Sequence, residues 1–200
     1  MSNSKTLAHQ KYASLHPLRR LLVNRFLNKV FEEIRKTNSR VILDVGCSEG
    51  QADKFFLEKD PSLKITGVDL DVEALEQAEI NCPQMEIERA DVYHLPFRDN
   101  TFDLVIFLEV LEHLEFPEKA LEEIKRVGRV HFIFSVPNEP FFSLASLFSG
   151  KYLKTLGRHP CHLQSWSKKK LENLLEEFFD QTEVKTVFPW LICTGDLKKL

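Results

Sequence analysis

Short runs of apolar, β-favouring residues alternate with helical patterns along this chain of 200 residues. Runs such as VILDV (41–45) and FDLVIFLEV (102–110) have the length and apolar character of buried strands. Between such runs lie stretches with apolar residues at helical spacing, including residues 17–36 and 51–59. Strands that alternate with helices predict right-handed βαβ crossovers. They therefore predict a mainly parallel sheet with helices on both faces.

The same alternation extends over the rest of the chain. Further strands are predicted at 63–70, 85–91 and 129–137, with a closing pair at 182–189 and 191–199. We expect Asp71 to cap one helix, Pro117 to open another, and the residues from Leu171 to Phe179 to lie in the last one. No repeat or low-complexity linker interrupts the pattern, so a single domain over residues 1–200 is expected, with an N-terminal helical segment at 1–37.

The composition limits the classes of function. Hydrophobic residues make up 43% and charged residues 28%, which is typical of a soluble globular protein. A net charge of -3 favours neither duplex nucleic acid nor an anionic membrane surface as a partner. The four cysteines are scattered without paired spacing, and the N-terminus lacks a signal-peptide pattern, so we expect a cytoplasmic protein with reduced thiols. The longest uncharged apolar run, 140–150, is shorter than the roughly 20 residues that span a bilayer.

Acidic residues follow the predicted strands at their carboxyl ends. Asp44 and Glu49 flank the first loop, Asp69 ends the second strand, Asp91 follows the third, and Glu109 follows the fourth. Ligands of parallel α/β sheets bind beyond these ends, near the point where the strand order reverses. A ring of acids is a poor site for the pyrophosphate of a dinucleotide. It suits a ligand with adenosine at one end and a cation at the other, a description that S-adenosylmethionine fits.

The glycine spacing in the first loop agrees with this interpretation. A dinucleotide fingerprint counted from Gly46 needs glycines where this chain has Ser48 and Gln51, and no Gly-Lys-Ser/Thr of a P-loop follows. The pattern that remains is D-x-G-x-x-x-G, from Asp44 to Gly50. Asp69 ends a strand 19 residues after Gly50, where a carboxylate can accept both ribose hydroxyls. A dehydrogenase is therefore a distant alternative.

Four segments in register, DVGCSEG, GVDLD, ERADVYHLPF and FDLVIFLEVLEHL, resemble the class I S-adenosylmethionine-dependent methyltransferases, particularly the small-molecule type. The resemblance covers roughly residues 38–137. It implies an α/β fold, namely a Rossmann-like three-layer sandwich with a mostly parallel seven-stranded sheet and an antiparallel C-terminal strand. It also implies methyl transfer from S-adenosylmethionine to a small-molecule acceptor, with S-adenosylhomocysteine as the product.

By this resemblance, the residues that follow the first four strands line the cofactor site. They are Asp44, Gly46, Cys47 and Gly50 beneath the methionine and ribose, Asp69 at the ribose, Leu70 along adenine, Asp91 and Val92 at the adenine amino group, and Leu108 and Glu109 beside the methionine moiety. The departure from the family pattern is Ser48, where glycine is usual. A Cβ at this position costs little if φ is negative and about 1–2 kcal/mol if φ is positive.

Structural alternatives remain open for several of these residues. Asp69 could cap the following helix, and Asp91 could be a plain turn residue, since aspartate is common at both places. Glu109 could lie in the first turn of a helix, where an acid complements the helix dipole. Cys47 is better explained as a small packing residue than as a nucleophile.

The long connection at residues 137–166 is the predicted acceptor-binding cover, because long loops in compact domains are often functional and this one is apolar with a few polar groups. The alternative is extra core over a sheet edge. Its HLQSW run resembles a segment of small-molecule methyltransferases in which a histidine precedes an aromatic residue, so His162 is the candidate catalytic base. His159, Cys161 and His162 are too crowded for a zinc site, and no metal is expected.

Two functions of different classes are therefore compatible with the sequence. One is an active methyltransferase for a small, apolar or amphipathic acceptor. The other is a binding or regulatory module that keeps the fold and the cofactor without turnover, because Ser48 departs from the family pattern and no catalytic base is assured.

Overall fold

The computed structural model of the protein describes residues 17–139 and 163–197. Most of the expected cover, with His159, Cys161 and His162, lies outside the described residues. In chain order the elements are α1 (Pro17–Thr37), β1 (Val41–Val45), α2 (Gln51–Lys59), β2 (Lys64–Asp69), α3 (Val72–Asn81), β3 (Glu86–Arg89), β4 (Phe102–Leu108), a 3-10 turn (Leu111–His113), α4 (Pro117–Val127), β5 (Gly128–Pro137), α5 (Lys168–Phe178), β6 (Phe179–Val187) and β7 (Trp190–Leu197).

The strands of the described chain form one seven-stranded sheet in the order β3-β2-β1-β4-β5-β7-β6. The neighbours from β3 to β5 pair in parallel, whereas β7 runs antiparallel to both β5 and β6. The predicted fold class is confirmed, including the antiparallel C-terminal strand. The order of the strands reverses between β1 and β4. The carboxyl ends of these two strands are therefore where a ligand cleft is expected.

Strand β4 shows why the sheet is covered on both faces. Leu104 and Ile106 pack with the apolar faces of α1, α2 and α3, whereas Val105 and Phe107 pack with α4 and α5. Because side chains alternate along a strand, a continuous apolar run supplies both cores at once. All four of these side chains are fully buried. The result is a three-layer sandwich with β4 at its centre.

The ends of several helices follow from local chemistry. Asp71 accepts a hydrogen bond from the Ala74 amide at 3.2 Å and so caps α3, as predicted. Pro117 is the first residue of α4, where its missing N–H removes no helical hydrogen bond. Ser167 caps α5 by accepting a hydrogen bond from the Lys170 amide. Within residues 17–139 and 163–197, no helix has both the length and the apolar character needed to cross a membrane.

Candidate functional site

The loop after β1 turns sharply because three of its residues have left-handed backbone conformations. Gly46 has φ of 80°, Ser48 of 51° and Gly50 of 68°. The amides of Gly46 and Cys47 both donate to the carbonyl of Val68, at 2.7 and 3.0 Å, which holds the loop against β2. Ser48 therefore has the more strained of the two conformations considered for it, since a side chain disfavours positive φ.

Gly46 also permits a close approach of the loop to β4. A Cβ at Gly46 would lie 2.4 Å from Cγ2 of Val110, a separation that no real Cβ contact shows. The space beside Gly46 is thus filled by the protein rather than by a ligand. A larger residue here would displace Val110 and with it the segment that follows β4. Gly46 therefore allows the loop after β1 to pack closely against the residues that follow β4, at the point where the strand order reverses.

Asp69, the last residue of β2, links this loop to the start of α3. Its two carboxylate oxygens accept hydrogen bonds from the backbone amides of Ser48 at 2.9 Å and Asp71 at 3.0 Å. The alternative in which Asp69 caps α3 is wrong, because Asp71 is the capping residue. Leu70 follows directly and is 55% exposed. A half-buried carboxylate and an exposed apolar side chain therefore stand next to each other beyond β2.

Asp44 is buried beside a second acid, Asp53, which lies in the first turn of α2. The two carboxyl groups contact each other, and burial raises the pKa of both, that of Asp53 to about 7. Asp44 Oδ1 and both carboxylate oxygens of Asp53 receive no hydrogen bond from another group among the described residues. Buried polar atoms are normally satisfied, so these oxygens indicate a functional rather than a structural requirement.

Cys47 packs inside this part of the loop. It is buried against Gly67, where an added Cβ would lie 2.8 Å from the Cys47 sulfur. Burial raises the pKa of the Cys47 thiol, and the acids Asp44, Asp53 and Asp69 raise it further. A protonated thiol is a poor nucleophile. The structure therefore supports the packing role considered for Cys47.

Asp91 builds the turn that follows β3. One of its carboxylate oxygens accepts a hydrogen bond from the Tyr93 amide at 3.0 Å, and its carbonyl accepts one from the His94 amide. Such hydrogen bonds are typical of an aspartate in a turn, which is the structural alternative considered for Asp91. Val92 is buried and belongs to the core on the α4 side. The pair nevertheless stands at the carboxyl end of β3, next in the sheet to β2 and Asp69.

Glu109 follows Leu108, the last residue of β4, with φ of 60°. Its amide donates to the Ser135 carbonyl, and its Oε2 accepts a hydrogen bond from Trp190 Nε1 at 2.7 Å. The alternative that placed Glu109 in the first turn of a helix is wrong, because the short 3-10 turn begins at Leu111. The Trp190 ring lies 4.8 Å from the Phe26 ring, between centroids. Glu109 is thus held by β5 through its backbone and by β7 through its side chain, and α1 packs against the tryptophan that holds it.

Three residues of the site were not singled out from the sequence. Asp53 had a detectable signal, since it occupies the buried face of α2 together with Ala52, Phe56 and Leu57. Val110 and Trp190 had none, because their roles depend on contacts between segments far apart in the chain. His162, the candidate base, lies outside the described residues.

Comparison with known proteins agrees with this geometry. Residues 43–133 match the family described as the methyltransferase domain. An uncharacterized methyltransferase of Schizosaccharomyces pombe is 37% identical over an alignment of 107 positions, and the match covers 48% of this chain and 38% of that protein. Residues 43–133 are thus similar to methyltransferase domains, and the chain resembles the class I S-adenosylmethionine-dependent methyltransferases.

One further relative and one solved structure extend the comparison. The ubiquinone biosynthesis O-methyltransferase of Alkalilimnicola ehrlichii is 32% identical over an alignment of 147 positions, and the match covers 64% of this chain and 59% of that enzyme. The chain thus spans less than two thirds of the length of either curated relative. The structure of the magnesium protoporphyrin IX methyltransferase of Synechocystis, solved with bound SAH, superposes with a TM-score of 0.72 at 14% sequence identity. The match covers 96% of this chain and 93% of that enzyme's chain. That similarity confirms the fold.

Proposed function

We propose that the protein transfers a methyl group from S-adenosylmethionine to a small, apolar or amphipathic acceptor. The observation that carries the proposal is the group of aspartates at the reversal point. Asp44, Asp53 and Asp69 form no ion pair with a lysine or arginine of the described chain. Uncompensated acids in such a position attract a cationic ligand.

The residues present fit S-adenosylmethionine. The left-handed loop from Gly46 to Gly50 presents backbone rather than bulky side chains at the end of β1. Asp69 lies half-buried beside it, at the strand end where an acid accepts ribose hydroxyls in related folds. Leu70 is exposed next to Asp69 and offers an apolar surface for adenine. An anionic pyrophosphate would meet the same aspartates unfavourably, which argues against a dinucleotide.

The remaining assigned residues take roles that follow from their positions. Asp44, Gly46, Cys47 and Gly50 would support the methionine and ribose, Asp91 and Val92 the adenine amino group, and Leu108 and Glu109 the methionine moiety. When bound, S-adenosylmethionine supplies an electrophilic sulfonium methyl group. The chain then has to align an acceptor and exclude water, which accounts for much of the rate in such reactions. Glu109 suits a positioning role because Trp190 fixes its side chain.

The acceptor is proposed to bind beneath the connection between β5 and α5. The described ends of this connection both lie at the carboxyl edge of the sheet. Leu163 and Gln164 donate their amides to the Glu112 carbonyl at 2.9 and 3.0 Å, and the Glu139 amide donates to the Trp166 carbonyl. The end at Leu163 is therefore held by the 3-10 turn that follows Glu109, and the end at Glu139 is paired with Trp166. His162 immediately precedes Leu163 and is proposed to accept the acceptor's proton.

The broader setting is also a proposal. A cytoplasmic location is supported by Cys47, Cys82 and Cys193, which are all free and buried thiols. A small-molecule acceptor is supported by the similarity to a ubiquinone biosynthesis O-methyltransferase. The catalytically silent module is not favoured, since the relatives that carry a specific name are described as methyltransferases.

The first experiment separates cofactor binding from turnover. Calorimetry with S-adenosylmethionine should give a saturable heat, and NADH should give no thermal shift. Incubation with radiolabelled S-adenosylmethionine and metabolite or lipid extracts should then label a small molecule. Binding without any labelled product would support the silent module. Binding of NADH in place of S-adenosylmethionine would contradict the proposal.

His162 is tested once an acceptor is known. His162→Ala should reduce turnover by about 10²–10⁴-fold if this residue is the general base, while the dissociation constant of S-adenosylmethionine stays the same. If His162 only orients the acceptor, the loss should be smaller and should appear mainly in its Michaelis constant. His159→Ala is the matched control, because it removes a histidine from the same segment. Full activity of His162→Ala would exclude the catalytic role.

A further inference from the structure

We infer that Asp53 is a positioning residue of the cofactor site, which shares a proton with Asp44 and releases it when the ammonium group of S-adenosylmethionine binds beside Asp44. The inference rests on the proposed function and deepens it. It adds a residue to which the family resemblance gives no role, and it makes cofactor affinity depend on pH.

The geometry places the two acids in direct contact. Asp44 is the fourth residue of β1 and Asp53 the third of α2, and the tight loop from Gly46 to Gly50 brings these elements together. Asp53 is 0% exposed and Asp44 3% exposed. Two carboxyl groups in contact form a hydrogen bond only when one of them carries a proton. The orphaned oxygens of this pair are satisfied by a shared proton or by a cation.

Within residues 17–139 and 163–197, no cation compensates the charge of the pair. Asp69 at the end of β2 adds negative charge to Asp44. Cys47 in the loop and Cys82 at the end of α3 face the same acids, and burial raises the pKa of both thiols, that of Cys82 to about 11. Lys54 and Glu58, on the exposed side of α2, act on Cys82 with opposite signs. The loop acid Glu49 is also buried.

The direction of the proton linkage follows from the charges. Burial and the like-charged neighbour raise the pKa of Asp44, and burial raises that of Asp53 to about 7, so the buried pair takes up a proton as the pH falls through neutrality. A cation next to the pair favours its ionised form and lowers its pKa. Binding of an ammonium group therefore releases a proton to solvent. Affinity should rise as the pH increases toward neutrality, by at most about tenfold per pH unit for one proton.

A titration without any ligand tests the shared proton first. Carbon-detected NMR of the aspartate carboxyl groups should show the Asp44–Asp53 pair titrating near neutrality in the wild-type protein. In Asp53→Asn the amide can donate to Asp44, so Asp44 should titrate at lower pH than in the wild type. Titration of both wild-type groups near the ordinary value of about 4 would overturn the inference without touching the proposed function.

Calorimetry then tests the release of the proton. S-adenosylmethionine is titrated between pH 6.0 and 7.2, where an α-amino group with a pKa of about 7.7–8.0 stays protonated. Buffers with different ionisation enthalpies give the number of protons released. We expect about 0.5–1 proton for the wild type and for Glu58→Gln, which removes an exposed acid from the same helix, and almost none for Asp53→Asn.

Each other outcome has a definite meaning. Cofactor binding without proton release in the wild type overturns the inference and leaves the proposed function standing. Equal release by wild type and Asp53→Asn also overturns it, because the proton then comes from another group. If Asp53→Asn does not fold, as judged by circular dichroism, Asp53→Ala, which removes the carboxyl group and adds no volume, takes its place. Absence of S-adenosylmethionine binding to the wild type would remove the proposed function and this inference together.

Discussion

At the amino-terminal edge of the sheet, acids are paired with arginines, whereas the aspartates at the carboxyl edge are not. Asp103, the second residue of β4, pairs with Arg129, the second residue of β5, and Asp60 pairs with Arg40 at 2.8 Å ahead of β2 and β1. Asp69, at the other end of β2, accepts hydrogen bonds only from backbone amides within the described residues. The arginines and aspartates at the amino ends of the parallel strands thus form ion pairs, whereas the aspartates described at the carboxyl ends do not.

The chain carries unfavourable charge at the carboxyl edge and balanced charge at the amino edge, within the described residues. Arg126 at the amino edge contacts Glu123, Asp99 and two backbone carbonyls, and this network closes the end of α4. At the carboxyl edge, the pair formed by Asp44 and Asp53 is buried without such a partner. Buried acids without counter-ions lower stability, so they persist where a ligand needs them. Substitutions at the amino edge should therefore change folding, and those at the carboxyl edge should change binding.

The largest expected effect is at the carboxyl edge. Asp69→Ala should weaken S-adenosylmethionine binding by about 1.5–3 kcal/mol, because hydrogen bonds to a charged group are lost and the amide of Ser48 loses its acceptor. The measurement is calorimetric titration of the purified variant.

Asp71→Ala is the matched control for Asp69→Ala, since it removes the neighbouring acid and the cap of α3. It should lower the free energy of unfolding by about 1 kcal/mol and leave the dissociation constant unchanged. An unchanged dissociation constant for Asp69→Ala, or an equal loss for Asp71→Ala, would remove Asp69 from the ribose site.

The next largest effect is expected at the amino edge, where a substitution should lower stability without changing cofactor affinity. Arg126→Ala removes hydrogen bonds to two carboxylates and to the carbonyls of Leu95 and Phe97, so the free energy of unfolding should fall by about 2 kcal/mol. Denaturant unfolding measures this change.

Lys125→Ala is the control for Arg126→Ala, since Lys125 precedes it on α4 and forms no ion pair within the described chain. It should stay within about 0.5 kcal/mol of the wild type. The affinity of both variants for S-adenosylmethionine should equal that of the wild type. A clear loss of affinity in Arg126→Ala would break the distinction between the two edges.

Much of the fold could be predicted because the strands are continuous apolar runs. The bounds of β1 and α2 agree with the prediction, since Asp60 and Pro61 stop the helix. The predicted end of the last helix was wrong. Phe179 continues the apolar spacing of α5, but it is the first residue of β6. Aromatic residues favour both environments, so spacing alone does not separate them.

The residues of the candidate site could be predicted only where an acid stands at the end of an apolar run in the sequence. Asp44 and Asp69 stand directly in or after apolar runs and could be recognised from that position. The bond between Glu109 and Trp190 joins residues 81 positions apart and leaves no local trace. The sequence also could not fix the sign of φ at Ser48, because the conformation depends on how β2 holds the loop.

The smallest expected effect compares two left-handed residues, one at each edge. Ser48 has φ of 51° at the carboxyl edge, and Asn38 has φ of 53° ahead of β1 at the amino edge. Asparagine tolerates this conformation better than serine does, since its short amide side chain bonds locally to the backbone. Glycine relieves the strain at either position but loses more entropy on folding.

Ser48→Gly should therefore raise the free energy of unfolding by about 0.5–1 kcal/mol, and Asn38→Gly should raise it by less. Because the Ser48 amide still donates to Asp69 in the glycine variant, affinity for S-adenosylmethionine should stay within about twofold of the wild type. Thermal unfolding and calorimetry measure both quantities. Destabilisation by Ser48→Gly, or a stronger gain from Asn38→Gly, would show that the serine is not strained and that its side chain stabilises the loop.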